Sequence, residues 1–141
     1  MATATYDDVN LILRLYDMRR EKRMREARAW FTSKFKASTL EEMLKLCTPG
    51  SDENASYRMV VTYWEMVASF VTAGVLNQEL FFQSGLELLV VWEKIRDFVP
   101  ESRKMFGNPK MLKNLETVAN AGIQHLGPEA YAAFSTRVRG Q

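Results

Sequence analysis

Apolar residues recur along most of the chain at intervals of three and four residues, which is the spacing of an amphipathic helix. The clearest stretch covers residues 54–99, where two such patterns are separated by a short break at Gly74. The first pattern is apolar around most of the helix circumference, which is typical of a helix inside a core. Because the link is short, we predict a central antiparallel helical hairpin over residues 54–99, ended by Pro100.

An earlier pattern begins after Thr5 and reaches Phe35 with no glycine or proline to interrupt it. It predicts one long helix over residues 5–36, with Thr5 and Asp8 as an N-terminal capping box. A helix of roughly 30 residues spans about 45 Å, which is more than a domain of this size needs. We therefore expect part of it to project or to pack against another chain. The apolar stripe of its first half is formed by Val9, Ile12, Leu13 and Tyr16.

The C-terminal part of the chain also has a helical pattern. Asn108 followed by Pro109 predicts the start of C-terminal helices that cover residues 108–139, and the tail from Arg137 onward is expected to fray. No stretch alternates with a period of two between turn residues, so no strand is predicted. The predicted fold is all-α: a compact helical bundle of five to six helices, forming a single domain over residues 1–141.

Composition narrows the class of protein. A chain of 141 residues with 47% hydrophobic and 26% charged residues is globular rather than disordered. The formal net charge of +2 does not by itself imply a nucleic-acid partner. Cys47 is the only cysteine, so no internal disulfide is predicted. The N-terminal residues do not resemble a secretory signal, and no apolar run approaches the ~18–20 residues of a membrane span, so we expect a cytoplasmic protein.

Motifs that carry chemistry are missing from the sequence. It contains no G-x-S-x-G nucleophile elbow and no glycine-rich phosphate loop. The single histidine, His125, and Cys47 lie in unrelated segments, and the Glu-x-x-His pattern of dinuclear metal bundles is absent because residue 122 is Gly122. The sequence therefore predicts no catalytic, cofactor-binding or metal-binding residues, and we expect no enzymatic activity.

Glu93 is the polar residue that stands out, because it falls on an apolar line of its helix. A buried carboxylate is costly unless it is paired, and Arg96 and Arg103 are the candidate partners. We favour a structural ion pair, with a pocket lined by Glu93 and Arg103 in an unrecognised enzyme as the alternative. Glu65, in the other Trp-Glu pair, falls on the polar strip of its helix.

A basic segment in the first helix is the second candidate site. Such a segment can neutralise phosphates or an anionic surface. No aromatic platform interrupts it, so a solvated or inter-subunit face is favoured and nucleic-acid binding is the alternative. Its cationic residues are Arg19, Arg20, Lys22, Arg23, Arg25 and Arg28.

Several short motifs in residues 54–126 together resemble a bacterial family of small all-helical domains of unknown function. The resemblance implies an all-helical domain and carries no established activity. Some relatives carry an N-terminal membrane span; this chain lacks one, so membrane attachment is not expected from the resemblance. The motifs are Trp64-Glu65, Gly74, Glu79-Leu80-Phe81-Phe82, Gly85, Trp92-Glu93, Pro100, Arg103 and Asn108-Pro109.

The functional hypothesis from the sequence is a non-enzymatic protein-interaction or scaffold module that self-associates as a homo-oligomer or binds a protein partner. It rests on the length of the predicted first helix. The alternative is a binder of nucleic acid or an anionic surface through the basic segment.

Overall fold

The computed structural model describes residues 2–140, and their regular structure is entirely helical. The predicted all-α class is therefore confirmed, whereas the predicted count of five to six helices is wrong, since the described residues form nine. The helices are α1 (Tyr6–Arg19), α2 (Lys22–Ser33), α3 (Leu40–Leu46), α4 (Asp52–Thr72), α5 (Gln78–Ser84), α6 (Glu87–Ile95), α7 (Val99–Met105), α8 (Lys113–Leu126) and α9 (Pro128–Arg139).

The predicted long helix over residues 5–36 is two helices, because the backbone leaves helical geometry at Glu21 (φ −58°, ψ 142°). The Glu21 carboxylate accepts hydrogen bonds from the backbone N–H groups of Arg23 and Met24, both at 3.0 Å. Glu21 thus caps α2 in the way that Ser or Asp more often does. After this break α2 packs along α4 and buries Met24, Ala27 and Phe31.

The second half of the predicted hairpin over residues 54–99 is also divided. Gly85 adopts φ 156°, a conformation that side-chain-bearing residues rarely take, and it separates α5 from α6. The predicted stop at Pro100 is wrong as well. Pro100 lies in the first turn of α7. Backbone N–H groups in a first turn have no partner within the helix, so proline, which lacks this group, is tolerated there.

Helix α4 is the centre of the structure and packs against α2, α6 and α8. Ser51 caps it by accepting a hydrogen bond from the Asn54 N–H at 3.1 Å. At one end of the core, the rings of Phe31 and Phe35 stack with centroids 5.0 Å apart, and Phe98 meets Phe35 edge-on. All three rings are fully buried, so aromatic packing joins α2 to the segment after α6.

The C-terminal helices begin later than the predicted residue 108. Turns occupy the segment before α8, and Leu112 takes a left-handed conformation (φ 57°) immediately before the helix. Gly122 lets α8 approach α6, because a Cβ at that position would lie 2.8 Å from a Leu89 methyl carbon. Helix α9 begins with Pro128 at its first position and packs on α6 and α8.

Among residues 2–140, no helix is both long enough and apolar enough to cross a membrane.

Candidate functional site

Glu93 lies on α6, is 3% exposed, and directs its carboxylate toward α9. Tyr131 Oη donates to Oε1 and Ser135 Oγ donates to Oε2, both at 2.6 Å. Arg139 Nε donates to Oε2 at 2.9 Å, and the guanidinium of Arg96 lies 3.3 Å from Oε1. The three α9 residues are spaced by four, so they share one helix face. The site is a buried carboxylate that fastens α9 to α6, and we call it the Glu93 cluster.

Burial by itself raises the pKa of Glu93. The hydrogen bonds from Ser135, Tyr131 and Arg139, together with the positive charge of Arg139, outweigh burial and lower the pKa from 4.5 to about 2. The carboxylate is therefore ionised at neutral pH. A general acid or base works best with a pKa near the operating pH, so this geometry suits an ion pair better than proton transfer.

Arg103, the other predicted partner of Glu93, lies elsewhere. Its Nε donates to the Met111 carbonyl and its guanidinium pairs with Glu116, both at 2.8 Å. Arg103 thus fixes the turns before α8. The structure brings Arg96 to Glu93 and adds Arg139, which is 46 residues away in sequence and falls in the tail that was expected to fray.

A cleft of about 210 Å³ opens beside the Glu93 cluster, between the α2–α3 connection, α6 and the end of α9. Asp97 in this cleft pairs with Arg139 at 2.8 Å. The Glu42 carboxylate caps α3 by accepting hydrogen bonds from Ser38 and Thr39. The charged residues lining the cleft are Lys36, Glu42, Glu93, Lys94, Asp97 and Arg139.

Three of the six cations of the predicted basic segment contact side chains of α4 or α6. Arg28 forms a two-point pair with Glu87, with N–O distances of 2.8 and 2.6 Å. The Arg19 guanidinium lies 5.3 Å from the Trp64 ring centroid and 4.0 Å from Glu87. Arg23 donates to the buried Ser56 hydroxyl at 3.2 Å. These three arginines join α1 and α2 to α4 and α6.

The other three cations of the segment, Arg20, Lys22 and Arg25, are exposed at the junction of α1 and α2. Arg25 donates to the Arg20 carbonyl at 2.8 Å and Arg20 donates to the Tyr16 hydroxyl at 3.1 Å. None of the three forms an ion pair with a carboxylate of residues 2–140. We call them the junction cations.

Helix α1 presents an apolar face to solvent that includes Val9, Leu13 and Tyr16 of the predicted stripe but not Ile12, which is partly buried against the core. Tyr6, Val9, Leu13 and Tyr16 follow a 3-4-3 spacing and form one line along the helix, which we call the α1 stripe. Leu15, on a different side of α1, is the buried apolar residue of the helix. The second apolar line at Leu11 and Leu15 was the feature of the sequence that could have shown this. The stripe consists of Tyr6, Val9, Leu13 and Tyr16, exposed by 79%, 41%, 58% and 40%.

The residues with reactive side chains are dispersed. Cys47 is buried, and burial, followed by the charge of Glu53, raises its thiol pKa to about 11, so it is a poor nucleophile at neutral pH. His125 lies beside the Phe82 ring, with centroids 5.5 Å apart. No group of three His, Cys, Asp or Glu residues within the described part of the chain could hold a metal ion.

These features define a small all-helical domain with a buried ion-pair cluster and an exposed apolar helix face. The sequence model of a family described as "Domain of unknown function (DUF4760)" matches residues 4–121, so the chain belongs to this family. The resemblance inferred from the sequence is thereby confirmed as a family of unknown function. The match includes Glu93 and Arg96 and ends before α9, which carries the other three donors of the Glu93 cluster. Neither the curated proteins nor the solved structures give a significant match.

Proposed function

We propose that this protein is a non-enzymatic interaction domain that associates with a second copy of itself through the α1 stripe. The observation that carries the proposal is the exposure of four large apolar side chains in one line on α1. Large contiguous apolar patches are uncommon on folded monomers, and the largest one on a monomer often serves an interaction. The 3-4-3 spacing is the one that lets two helices pack along their length.

The charges of α1 favour an antiparallel second copy as the occupant. The exposed acidic residue Asp7 lies at the N-terminal end of the stripe, and toward its C-terminal end the exposed Arg14 and Arg20 outnumber the exposed Asp17. An antiparallel pair places the acidic end of each helix near the basic end of the other and opposes the two helix dipoles. A two-fold contact of this kind is self-complementary.

The expected association is weak. One 14-residue helix per copy buries less than the ~1,200 Å² of a standard stable interface. The association should therefore depend strongly on protein concentration, and a single charge in the middle of the stripe should abolish it.

The test is the weight-average mass measured by sedimentation over a wide range of protein concentration. The wild-type mass should rise with concentration, and Leu13→Arg should stay monomeric. Asn120→Arg is the matched control, because Asn120 is exposed on α8, which does not pack against α1, and it should behave as wild type. A monomeric wild type at the highest concentration, or equal masses for wild type and Leu13→Arg, would refute the proposal.

A second candidate function is binding of nucleic acid or an anionic surface through the junction cations. It is supported by the exposure of Arg20, Lys22 and Arg25 without a carboxylate partner in the described residues. Arg19, Arg23 and Arg28 contribute less, because they are held by contacts within the protein. Binding should weaken steeply with salt and be lost when the three junction cations are changed to Glu. Absence of binding at low salt would exclude it.

A further inference from the structure

We propose that the cleft beside the Glu93 cluster binds a phosphate group between the ammonium groups of Lys36 and Lys94. The cleft has a volume of about 210 Å³, and both lysines line it. The proposal concerns a small anion site and does not depend on association through the α1 stripe.

Lys94 is held in place with part of its hydrogen-bonding capacity unused. Its Nζ lies 5.8 Å from the Phe31 ring centroid and donates one hydrogen bond of 3.4 Å to the Thr32 carbonyl. An ammonium group has three N–H donors. Two of them therefore have no acceptor among residues 2–140 and are available to a ligand in the cleft.

Lys36 contributes a second positive charge to the same cleft from the α2–α3 connection. Both lysines line the same cleft, and the pKa of Lys94 is lowered by burial and then by the charge of Lys36. Neither lysine forms an ion pair with a carboxylate of the described residues. An anion between them relieves the repulsion of the like charges.

The carboxylates of the cleft already have partners. Glu93 accepts from four side chains of the Glu93 cluster. Asp97 pairs with Arg139, whereas the Glu42 carboxylate accepts hydrogen bonds only from the neutral Ser38 and Thr39. The cleft charges without an ion-pair partner among residues 2–140 are therefore Lys36 and Lys94, which are positive, and Glu42, which is negative, so positive charge is in excess. The lysine ammonium group is a compact point charge that binds phosphate. Two such groups in one cleft therefore suit a phosphate group.

The experiment uses the full chain and inorganic phosphate as the probe. Affinity is measured by calorimetric titration and by the rise in thermal unfolding midpoint with phosphate, against chloride at equal ionic strength. Lys36→Gln should weaken phosphate binding by about tenfold or more, since a charged hydrogen bond is lost. Lys36 is exposed, so this variant should fold normally, and Lys94→Gln should have a similar effect.

The matched control is Lys104→Gln, which removes one exposed lysine charge on α7 outside the cleft, and it should leave the phosphate affinity unchanged. Equal affinities for wild type, Lys36→Gln and Lys104→Gln, or no binding by wild type, would overturn the proposal. Glycerol phosphate separates the two sources of the anion. Tighter binding of this ester than of inorganic phosphate identifies a phosphorylated small molecule, and equal binding identifies the free ion.

Discussion

The two Trp-Glu pairs of the chain are alike in sequence and differ in what they bind. Glu65 on α4 accepts hydrogen bonds from the Leu115 backbone N–H and from the Asn114 side-chain amide, both at 2.8 Å. It therefore caps the start of α8 from another helix. Glu93 on α6 binds side chains of α9. Each carboxylate fastens one C-terminal helix to the core. Glu65 does so through a backbone N–H and a side-chain amide, and Glu93 through two hydroxyl groups and a guanidinium.

The tryptophans of the two pairs differ in the same way. Trp64 Nε1 donates to Glu87 at 3.2 Å, whereas Trp92 Nε1 is buried and has no acceptor among residues 2–140. The pairs are therefore not copies of one functional motif. The helical phase of each residue and the neighbour it faces decide its role.

The largest effect that separates the two pairs is expected from Glu93→Gln. This change leaves Arg96 without a carboxylate and Arg139 with Asp97 alone, and it should lower the free energy of unfolding by roughly 2–3 kcal/mol. Breaking a buried ion pair costs about 3–5 kcal/mol, and the estimate is lower because the two arginine side chains are 35% and 43% exposed. Denaturant unfolding measures the change. Asp97→Asn, which touches only the exposed side of Arg139, is the control and should cost less than ~1 kcal/mol.

The pH dependence of the stability difference between wild type and Glu93→Gln tests whether charge holds α9 against α6. The folded-state pKa of Glu93 is lowered from 4.5 to about 2. Its contribution to stability is thus fully present above pH 4.5 and is lost as the pH falls toward 2. The stability difference between wild type and Glu93→Gln should be constant near neutrality and shrink over that acid range. A difference that does not change with pH would show that packing, not charge, is responsible.

Removing the Glu65 contact should lower the stability less than Glu93→Gln does, and its effect should be confined to the start of α8. Glu65→Ala removes the acceptor for the Leu115 N–H, and loss of a helix cap costs about 1–2 kcal/mol. Hydrogen exchange should accelerate at the start of α8 and stay unchanged in α9. Glu65→Gln keeps one acceptor oxygen and should retain part of the stability. Equal acceleration in both helices would mean that the two contacts are not independent.

Local sequence predicts part of the fold and part of the Glu93 cluster. The helical spacing of apolar residues is enough for the all-α class, and the phase of Glu93 within its helix is enough to turn it inward. The break at Glu21 was not predicted, because Glu is not a preferred N-cap. The break at Gly85 was also not predicted, because the helical spacing of apolar residues continues on both sides of this glycine. The contact from Glu93 to Arg139 spans 46 residues and depends on packing that local spacing does not contain.

The smallest effect concerns the indole N–H groups. Trp64→Phe and Trp92→Phe remove similar volume from buried positions, since both tryptophans are 4% exposed. The difference between them therefore reports on the indole N–H group together with the Arg19 guanidinium that lies over the Trp64 ring. Trp64→Phe also removes the hydrogen bond to Glu87, which contributes about 1 kcal/mol or more because the acceptor is charged. Trp92→Phe removes a donor that has no acceptor in the described residues. Trp64→Phe should therefore be the more destabilising by about 1–2 kcal/mol in denaturant unfolding, and the reverse order would contradict the asymmetry of the two pairs.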